Sequence, residues 1–212
     1  NFLVGHGSST VPAELVGEIN SYGGSIKDAR GIPMDKILEA IRAGARIIND
    51  VWGLRKDERL AELSASFRVP IILTENHREM EFKKFFPELI DSMRWSIEKA
   101  ESMGVDPSLI IVDPGIGFGK THEQNFEIIR RLDEIKRELK KPVLIGPSRK
   151  SFIGYVLDLP PEERLEGTIA AISIGIFKGA DIIRVHDVRE AKRAAKISEA
   201  IRGSPLLRLK SW

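Results

Sequence analysis

The chain has 212 residues, of which 42% are hydrophobic and 30% are charged, and its formal net charge at pH 7 is +2. That length suits one domain with a sizeable core, and so small a net charge argues against nucleic acid as a partner. The absence of cysteine excludes disulfides and thiol chemistry, and no signal peptide or apolar run of roughly 20 residues points to a membrane, so a cytoplasmic enzyme or binding domain is expected.

Short runs rich in Val, Ile and Leu alternate along the chain with amphipathic segments. The firm strand candidates are residues 46–51, 69–74, 109–113, 142–146 and 181–185. The helical patterns are residues 34–43, 57–67, 87–103, 124–139, 167–178 and 192–201. Nearly continuous apolar strands are typical of parallel sheets, so this alternation predicts βαβ units.

The first 45 residues are less regular, with weak strand candidates at residues 2–5 and 25–28 and a helix candidate at 12–20. An open doubly wound sheet and a closed (β/α)8 TIM barrel both fit the alternation. Polar residues follow nearly every strand, whereas an open sheet would concentrate them at one switch point, which favours the barrel. A typical barrel has about 250 residues. We therefore expect a single barrel domain over residues 1–212 that lacks or alters its first βα unit, with residues 1–45 divergent or incomplete.

A glycine-rich segment, DPGIGFGK, follows the third firm strand at residues 113–120. Asp113 stands at the end of the strand, and alternating glycines would let the backbone approach a ligand closely. The segment is not a P-loop, because Pro114 stands where that motif needs its first glycine. The alternative is an ordinary flexible loop in which Asp113 caps a helix.

A second segment, GPSRKSFIG at residues 146–154, presents Ser148, Arg149 and Lys150 at a strand end. Two adjacent cations suit an anionic ligand, and the alternative is a solvated charged loop. Arg184 and His186 would share one face of the last strand, and in TIM barrels the loops after the last strands commonly bind phosphate.

The alternative for Arg184 is an ion pair with Asp187 or another core acid. A further candidate lies at an earlier strand end, where Asn49 and Asp50 could bind the donors and acceptors of a heterocycle or form an ordinary turn.

Together these segments resemble the dihydropteroate synthase family. The matching segments are IINDVWG (47–53), VDPGIGFGKT with Asn125 (112–125), PVLIGPSRKSFIG (142–154), GT (167–168) and GADIIRVHDV (179–188). The resemblance implies a transferase of folate biosynthesis that condenses 6-hydroxymethyl-7,8-dihydropterin pyrophosphate with 4-aminobenzoate, using Mg²⁺. It also implies a homodimer with small-molecule substrates, without nucleic acid or membrane partners.

The resemblance also implies roles for individual residues. Asn49 and Asp113 match residues that bind the pterin, and Lys150 matches a lysine that contacts it. Arg184 and His186 match the pair that holds the departing pyrophosphate, while Ser148 and Arg149 match the loop beside the aminobenzoate. The expected substrate-binding set is completed by Gly117, Phe118, Lys120 and, as the nearest match to a pterin-binding acid, Asp28. The expected catalytic residues are Asp113, Lys150, Arg184 and His186.

The family's N-terminal strand, which ends in an asparagine, and its Thr-Pro-Asp-Ser-Phe loop have no recognisable match here. Asn1 is the one candidate metal ligand, if Asn1-Phe2 is the end of that strand. This difference predicts a chain that binds anions but turns over weakly. Two other functions stay open: a domain that passes a methyl group from a reduced pterin to a corrinoid, and a non-catalytic pterin-binding protein.

Overall fold

The computed structural model describes residues 5–6, 34–76 and 82–203. Within them the strands are β1 (Gly5–His6), β2 (Ile48–Asp50), β3 (Ile71–Thr74), β4 (Ile110–Asp113), β5 (Leu144–Ile145) and β6 (Ile182–Ile183). The helices are α1 (Met34–Arg42), α2 (Arg59–Phe67), α3 (Phe85–Ser102), α4 (His122–Arg130), α5 (Leu132–Leu139), α6 (Ser151–Leu157), α7 (Leu165–Phe177) and α8 (Val188–Arg202).

The chain divides into two compact units. The first contains Asn1–Glu75 and Met93–Ile111, and the second contains Asn76–Ser92 and Val112–Trp212. In the first unit β1, β2 and β3 pair in parallel, and the order of the sheet continues to β4. In the second unit β5 and β6 pair in parallel. The predicted α/β class with parallel strands is therefore confirmed.

β2 to β5 are short and buried, as their apolar composition predicts. Every residue of β3 and β4 is buried, and Ile71 and Ile110 have no exposed surface. Strands buried on both faces need helices to cover them, and this is why the chain alternates between the two elements. β6 departs from the pattern, because both of its residues are only half-buried.

Two helical segments differ from the sequence-based expectation. The single helix predicted over residues 124–139 is divided at Arg131, whose backbone (φ −110°, ψ 22°) leaves the helical region. The Arg131 guanidinium binds Glu127 and Glu134 and lies 3.5 Å from the centre of the Phe86 ring. No glycine or proline marks this break, so the apolar period alone could not reveal it.

Helix α6 was not predicted, because no helical pattern was recognised in residues 151–157. Its first turn follows Lys150, whose side chain forms no capping hydrogen bond, and the short segment SFIGYVL contains β-branched residues and Gly154. These features are poor helix signals. Of the weak N-terminal candidates, only Gly5 falls within the described residues, where it begins β1; residues 2–4, 12–20 and 25–28 lie outside them. No helix among the described residues is long and apolar enough to cross a membrane.

Candidate functional site

Three loops of the second unit carry most of the predicted site residues. They follow β4, β5 and β6 at the carboxyl ends of these strands. β5 and β6 pair in parallel, and Val112 of β4 forms a parallel bridge with Val143, next to β5. Because parallel strands end at the same edge, the three loops come together there.

Asp113 and Arg184 form an ion pair at this edge. Nη2 of Arg184 donates to Oδ2 of Asp113 at 2.7 Å, and the two side chains are 27% and 1% exposed, respectively. The other carboxylate oxygen of Asp113 accepts a hydrogen bond from the backbone of Gly115 at 2.8 Å. The guanidinium lies so close to Gly146 that a β-carbon there would be 3.0 Å from Nη2 of Arg184. Of the alternatives for Arg184, an ion pair with a core acid is therefore observed, and that acid is Asp113 rather than Asp187.

Ser148 and His186 form a second contact between these loops. Oγ of Ser148 lies 2.9 Å from Nδ1 of His186. The same oxygen accepts a hydrogen bond from the backbone N–H of His186 at 3.2 Å. Ser148 is buried and His186 is exposed. The prediction that Arg184 and His186 lie on one face of the last strand was wrong. β6 ends at Ile183, so both residues belong to the loop that follows it.

The two cations that follow Ser148 differ in their surroundings. The Arg149 guanidinium binds both carboxylate oxygens of Asp187, at 2.6 and 3.1 Å, and this hydrogen bonding lowers the pKa of Asp187. The ammonium of Lys150 lies 4.8 Å from the centre of the Phe118 ring. The stem of Lys150 crosses Gly117, where a β-carbon would be 2.8 Å from Cδ of the lysine.

The glycine-rich loop is held by a residue whose role sequence reasoning missed. Oδ1 of Asn125 accepts from the backbone of Gly117 at 2.7 Å, and its Nδ2 donates to the carbonyls of Lys120 and Thr121 at 3.3 and 2.8 Å. Asn125 is 1% exposed, and Nζ of Lys120 lies 3.4 Å from the carbonyl oxygen of Phe118. A buried amide needs several hydrogen-bond partners. The sequence signal that could have identified this role is the position of Asn125, eight residues after Gly117 of the glycine-rich loop.

Asn49 and Asp50 lie in the first unit, at the end of β2. Asn49 is 3% exposed and stands opposite Ile72 in the parallel register. The Asp50 carboxylate accepts hydrogen bonds from the backbone N–H groups of Trp52 and Leu54. Asp50 thus shapes the turn after β2, as the turn alternative expected. Asp28 and Asn1 lie outside the described residues.

Burial raises the pKa of Asp50 to about 6 from 3.8, and the two backbone hydrogen bonds only partly oppose that rise. The folded chain therefore binds this proton more tightly than the unfolded chain. Stability from this group is fully present below pH 3.8 and is lost as the pH rises through 6. At about 1.4 kcal/mol per pKa unit, this difference in pKa amounts to at most about 3 kcal/mol.

We accordingly expect Asp50→Asn, which cannot ionise, to gain stability relative to the wild-type chain between pH 4 and pH 7. The free energy of unfolding is measured with urea at several pH values for both proteins. As the pH rises from 4 to 7, the variant should become more stable relative to the wild-type chain by up to about 3 kcal/mol. Asp35→Asn, at an exposed position of α1, is the matched control. Parallel pH profiles for Asp50→Asn and the wild-type chain would show that the Asp50 pKa is not raised.

In the part of the chain that the structure describes, no three histidine, aspartate or glutamate residues are grouped so that they could hold a metal ion. The carboxylate of Asp113 is already bound to Arg184 and to the Gly115 backbone.

Comparison with known proteins gives consistent similarities. Residues 32–186 match the model of the pterin binding enzyme family. Dihydropteroate synthases of Clostridium beijerinckii and Bacillus subtilis are 49% and 48% identical to 77% of the chain. The chain spans about three fifths of the length of these curated relatives, 61% and 57%, respectively.

Solved structures show the same likeness. A dihydropteroate synthase from Clostridium difficile, determined in the presence of pteroic acid, is 45% identical with a TM-score of 0.75, over 79% of this chain and 64% of that chain. One from Xanthomonas albilineans with 4-aminobenzoic acid is 33% identical, also with a TM-score of 0.75, over 81% and 63%.

Proposed function

The chain belongs to the pterin-binding enzyme family, and on that premise we propose that it acts as a dihydropteroate synthase. The substrates are 6-hydroxymethyl-7,8-dihydropterin pyrophosphate and 4-aminobenzoate, and the products are 7,8-dihydropteroate and pyrophosphate. The relatives with this name and the structures with pteroic acid and 4-aminobenzoic acid support the assignment. We also propose that the whole protein folds as a (β/α)8 barrel in a single domain.

The observation that carries the proposal is the cluster at the ends of β4, β5 and β6. It places the buried Asp113 carboxylate, the Arg184 guanidinium and the Ser148–His186 contact within one unit, with the Lys150 ammonium above the ring of Phe118. An acceptor for a pterin ring and cations for a pyrophosphate are the two kinds of group that such a substrate requires.

The reaction needs no protein nucleophile. The arylamine nitrogen forms a bond to the pterin methylene carbon, the carbon–oxygen bond to pyrophosphate breaks, and the amine loses one proton. Pyrophosphate leaves with the electron pair of that bond. Positive charge develops on the pterin side and negative charge on the leaving group, so we assign stabilisation of the pterin to Asp113 and of the leaving group to Lys150, Arg184 and His186.

The other residues of the expected set have supporting roles in this proposal. Asn49 binds the pterin, and Ser148 and Arg149 border the aminobenzoate. The glycine-rich loop supplies Gly117, Phe118 and Lys120 around the substrate. Mg²⁺ would neutralise phosphate charge, and it commonly binds through substrate phosphates and only one or two protein oxygens.

Product formation tests the function. The 212-residue chain is incubated with the pterin pyrophosphate, 4-aminobenzoate and Mg²⁺, and both released pyrophosphate and 7,8-dihydropteroate are measured. We expect both products in equal amounts, and neither when 4-aminobenzoate is omitted. Pterin binding without either product would instead indicate a non-catalytic pterin-binding protein. Methyl transfer from a methylated reduced pterin to a corrinoid would favour the methyltransferase alternative.

We further propose that the protein forms a homodimer through the outer surface of α7 and α8. A groove of about 630 Å³ lies between these helices, and five of its ten lining residues are apolar. Five large apolar residues are more than half exposed on the same two helices: Ile174, Phe177, Val188, Ile197 and Ile201. Apolar surface of this extent commonly marks a protein–protein interface, and a groove that carries Glu166, Glu190 and Arg193 offers both charge signs to a second copy.

Sedimentation analysis checks this assembly. We expect the wild-type chain to sediment as a dimer, and the double variant Ile197→Glu with Ile201→Glu to sediment as a monomer, because two buried carboxylates would oppose association. Lys192→Glu, at an exposed position of the same helix, should leave the dimer intact. A wild-type monomer at all concentrations would contradict the proposal.

A further inference from the structure

The backbone of Arg149 adopts a conformation that its side chain disfavours. Its φ is 57°, in the left-handed region, which costs a residue other than glycine roughly 1–2 kcal/mol. Arg149 stands directly between Ser148 and Lys150, so its backbone angles set the directions in which these two side chains leave the loop. Such a conformation persists only where the surroundings hold it, and it is frequent at functional sites.

Two residues at the start of α7 hold this backbone from both sides. The Arg149 N–H donates to Oγ1 of Thr168 at 3.0 Å, and Nη1 of Arg164 donates to the Arg149 carbonyl at 3.0 Å. Thr168 is 1% exposed, so the hydrogen bond that its hydroxyl accepts is shielded from solvent. Both peptide groups of Arg149 are therefore fixed by side chains outside its own loop.

Arg164 is itself held firmly. Its Nε donates to the Leu159 carbonyl at 2.8 Å, and its guanidinium lies against Gly154 of α6, where a β-carbon would clash with it. The helix that begins after Lys150 is thus packed on the same arginine that binds the carbonyl of Arg149. One side chain thus contacts both the loop and α6.

We infer that Thr168 is a positioning residue of the active site, with Arg164 as the second anchor. By holding Arg149 in the left-handed conformation, Thr168 directs Ser148 towards His186, with Oγ 2.9 Å from Nδ1, and Lys150 towards Phe118. Thr168 itself does not touch the substrate. The inference rests on the proposed function, because it concerns the placement of the groups that would bind the pyrophosphate and the arylamine.

Two substitutions separate the hydroxyl from the bulk of the side chain. Thr168→Val keeps the shape and removes the acceptor for Arg149, whereas Thr168→Ser keeps the acceptor. Misplacement of reacting groups by about 1 Å commonly lowers rates by about 10²-fold, so we expect kcat/KM for the pterin pyrophosphate to fall by roughly that factor in Thr168→Val and to recover in Thr168→Ser. Should Thr168→Val fail to fold, Thr168→Ala removes the same acceptor.

Hydrogen exchange of the Arg149 amide, followed by NMR, gives a readout independent of turnover. It should accelerate in Thr168→Val and not in Thr168→Ser. The control is Ser64→Ala, which also removes a buried hydroxyl, one that donates to the Val69 carbonyl in the other unit; it should lower stability without changing kcat/KM.

Wild-type kcat/KM in Thr168→Val, whether or not the Arg149 amide exchanges faster, would overturn the positioning role while leaving the proposed function intact. Absence of product from the wild-type chain would overturn the proposed function and this inference with it.

Discussion

Lys150→Met should lower kcat/KM for the pterin pyrophosphate by about 10²–10³-fold, the usual effect of removing one preorganised group that stabilises developing charge. Methionine keeps most of the stem that crosses Gly117, so the substitution mainly removes the ammonium. Pyrophosphate release at limiting pterin pyrophosphate measures the effect.

The same variant should change the free energy of unfolding by less than about 1 kcal/mol. Lys150 precedes α6 without capping it through its side chain, and a cation–π contact such as that with Phe118 contributes only about 0.5–1 kcal/mol. Lys178→Met is the matched control, because this lysine forms a surface ion pair with Asp133 at 3.2 Å outside the proposed site. A large loss of stability with unchanged kcat/KM would make Lys150 a structural residue.

Arg184→Met should be the most destabilising change at the site, lowering the free energy of unfolding by about 3–5 kcal/mol. It leaves the Asp113 carboxylate, 1% exposed, without its charged partner, and an uncompensated buried charge commonly costs that much. Asp113→Asn should cost less, about 1–2 kcal/mol, because the Arg184 side chain is 27% exposed and can be hydrated.

A double-mutant cycle measured by urea unfolding tests this asymmetry. The variant with both Arg184→Met and Asp113→Asn removes both charges of the pair, so it should be more stable than Arg184→Met alone. We expect a coupling energy of about 2–3 kcal/mol, within the range found for contacting residues. A coupling near zero would mean that the ion pair is not maintained in solution.

The alternation of apolar runs with amphipathic segments predicted much of the architecture. Apolar runs such as residues 109–113 are compatible with few structures other than buried parallel strands. The positions of Asp113 and Ser148 at strand ends likewise predicted that they would lie near one another, whereas Arg184 was predicted to lie within the last strand. The ion-pair partner of Arg184 was harder to predict from the sequence, because both Asp113 and Asp187 were available. Only the three-dimensional path of the backbone selects Asp113. Residues that act on the backbone, such as Asn125 and Thr168, carry no charge pattern that would reveal them.

The ion pair between Asp113 and Arg184 joins residues 71 positions apart, and this separation has a consequence during synthesis. At 5–20 residues per second, the ribosome adds Arg184 roughly 4–14 s after Asp113. Throughout that interval the carboxylate at the end of β4 cannot be buried beside its partner, so the second unit cannot reach its final structure. The nascent chain must keep the end of β4 hydrated or shielded until β6 has emerged, so the completion of this unit is a late event in its folding.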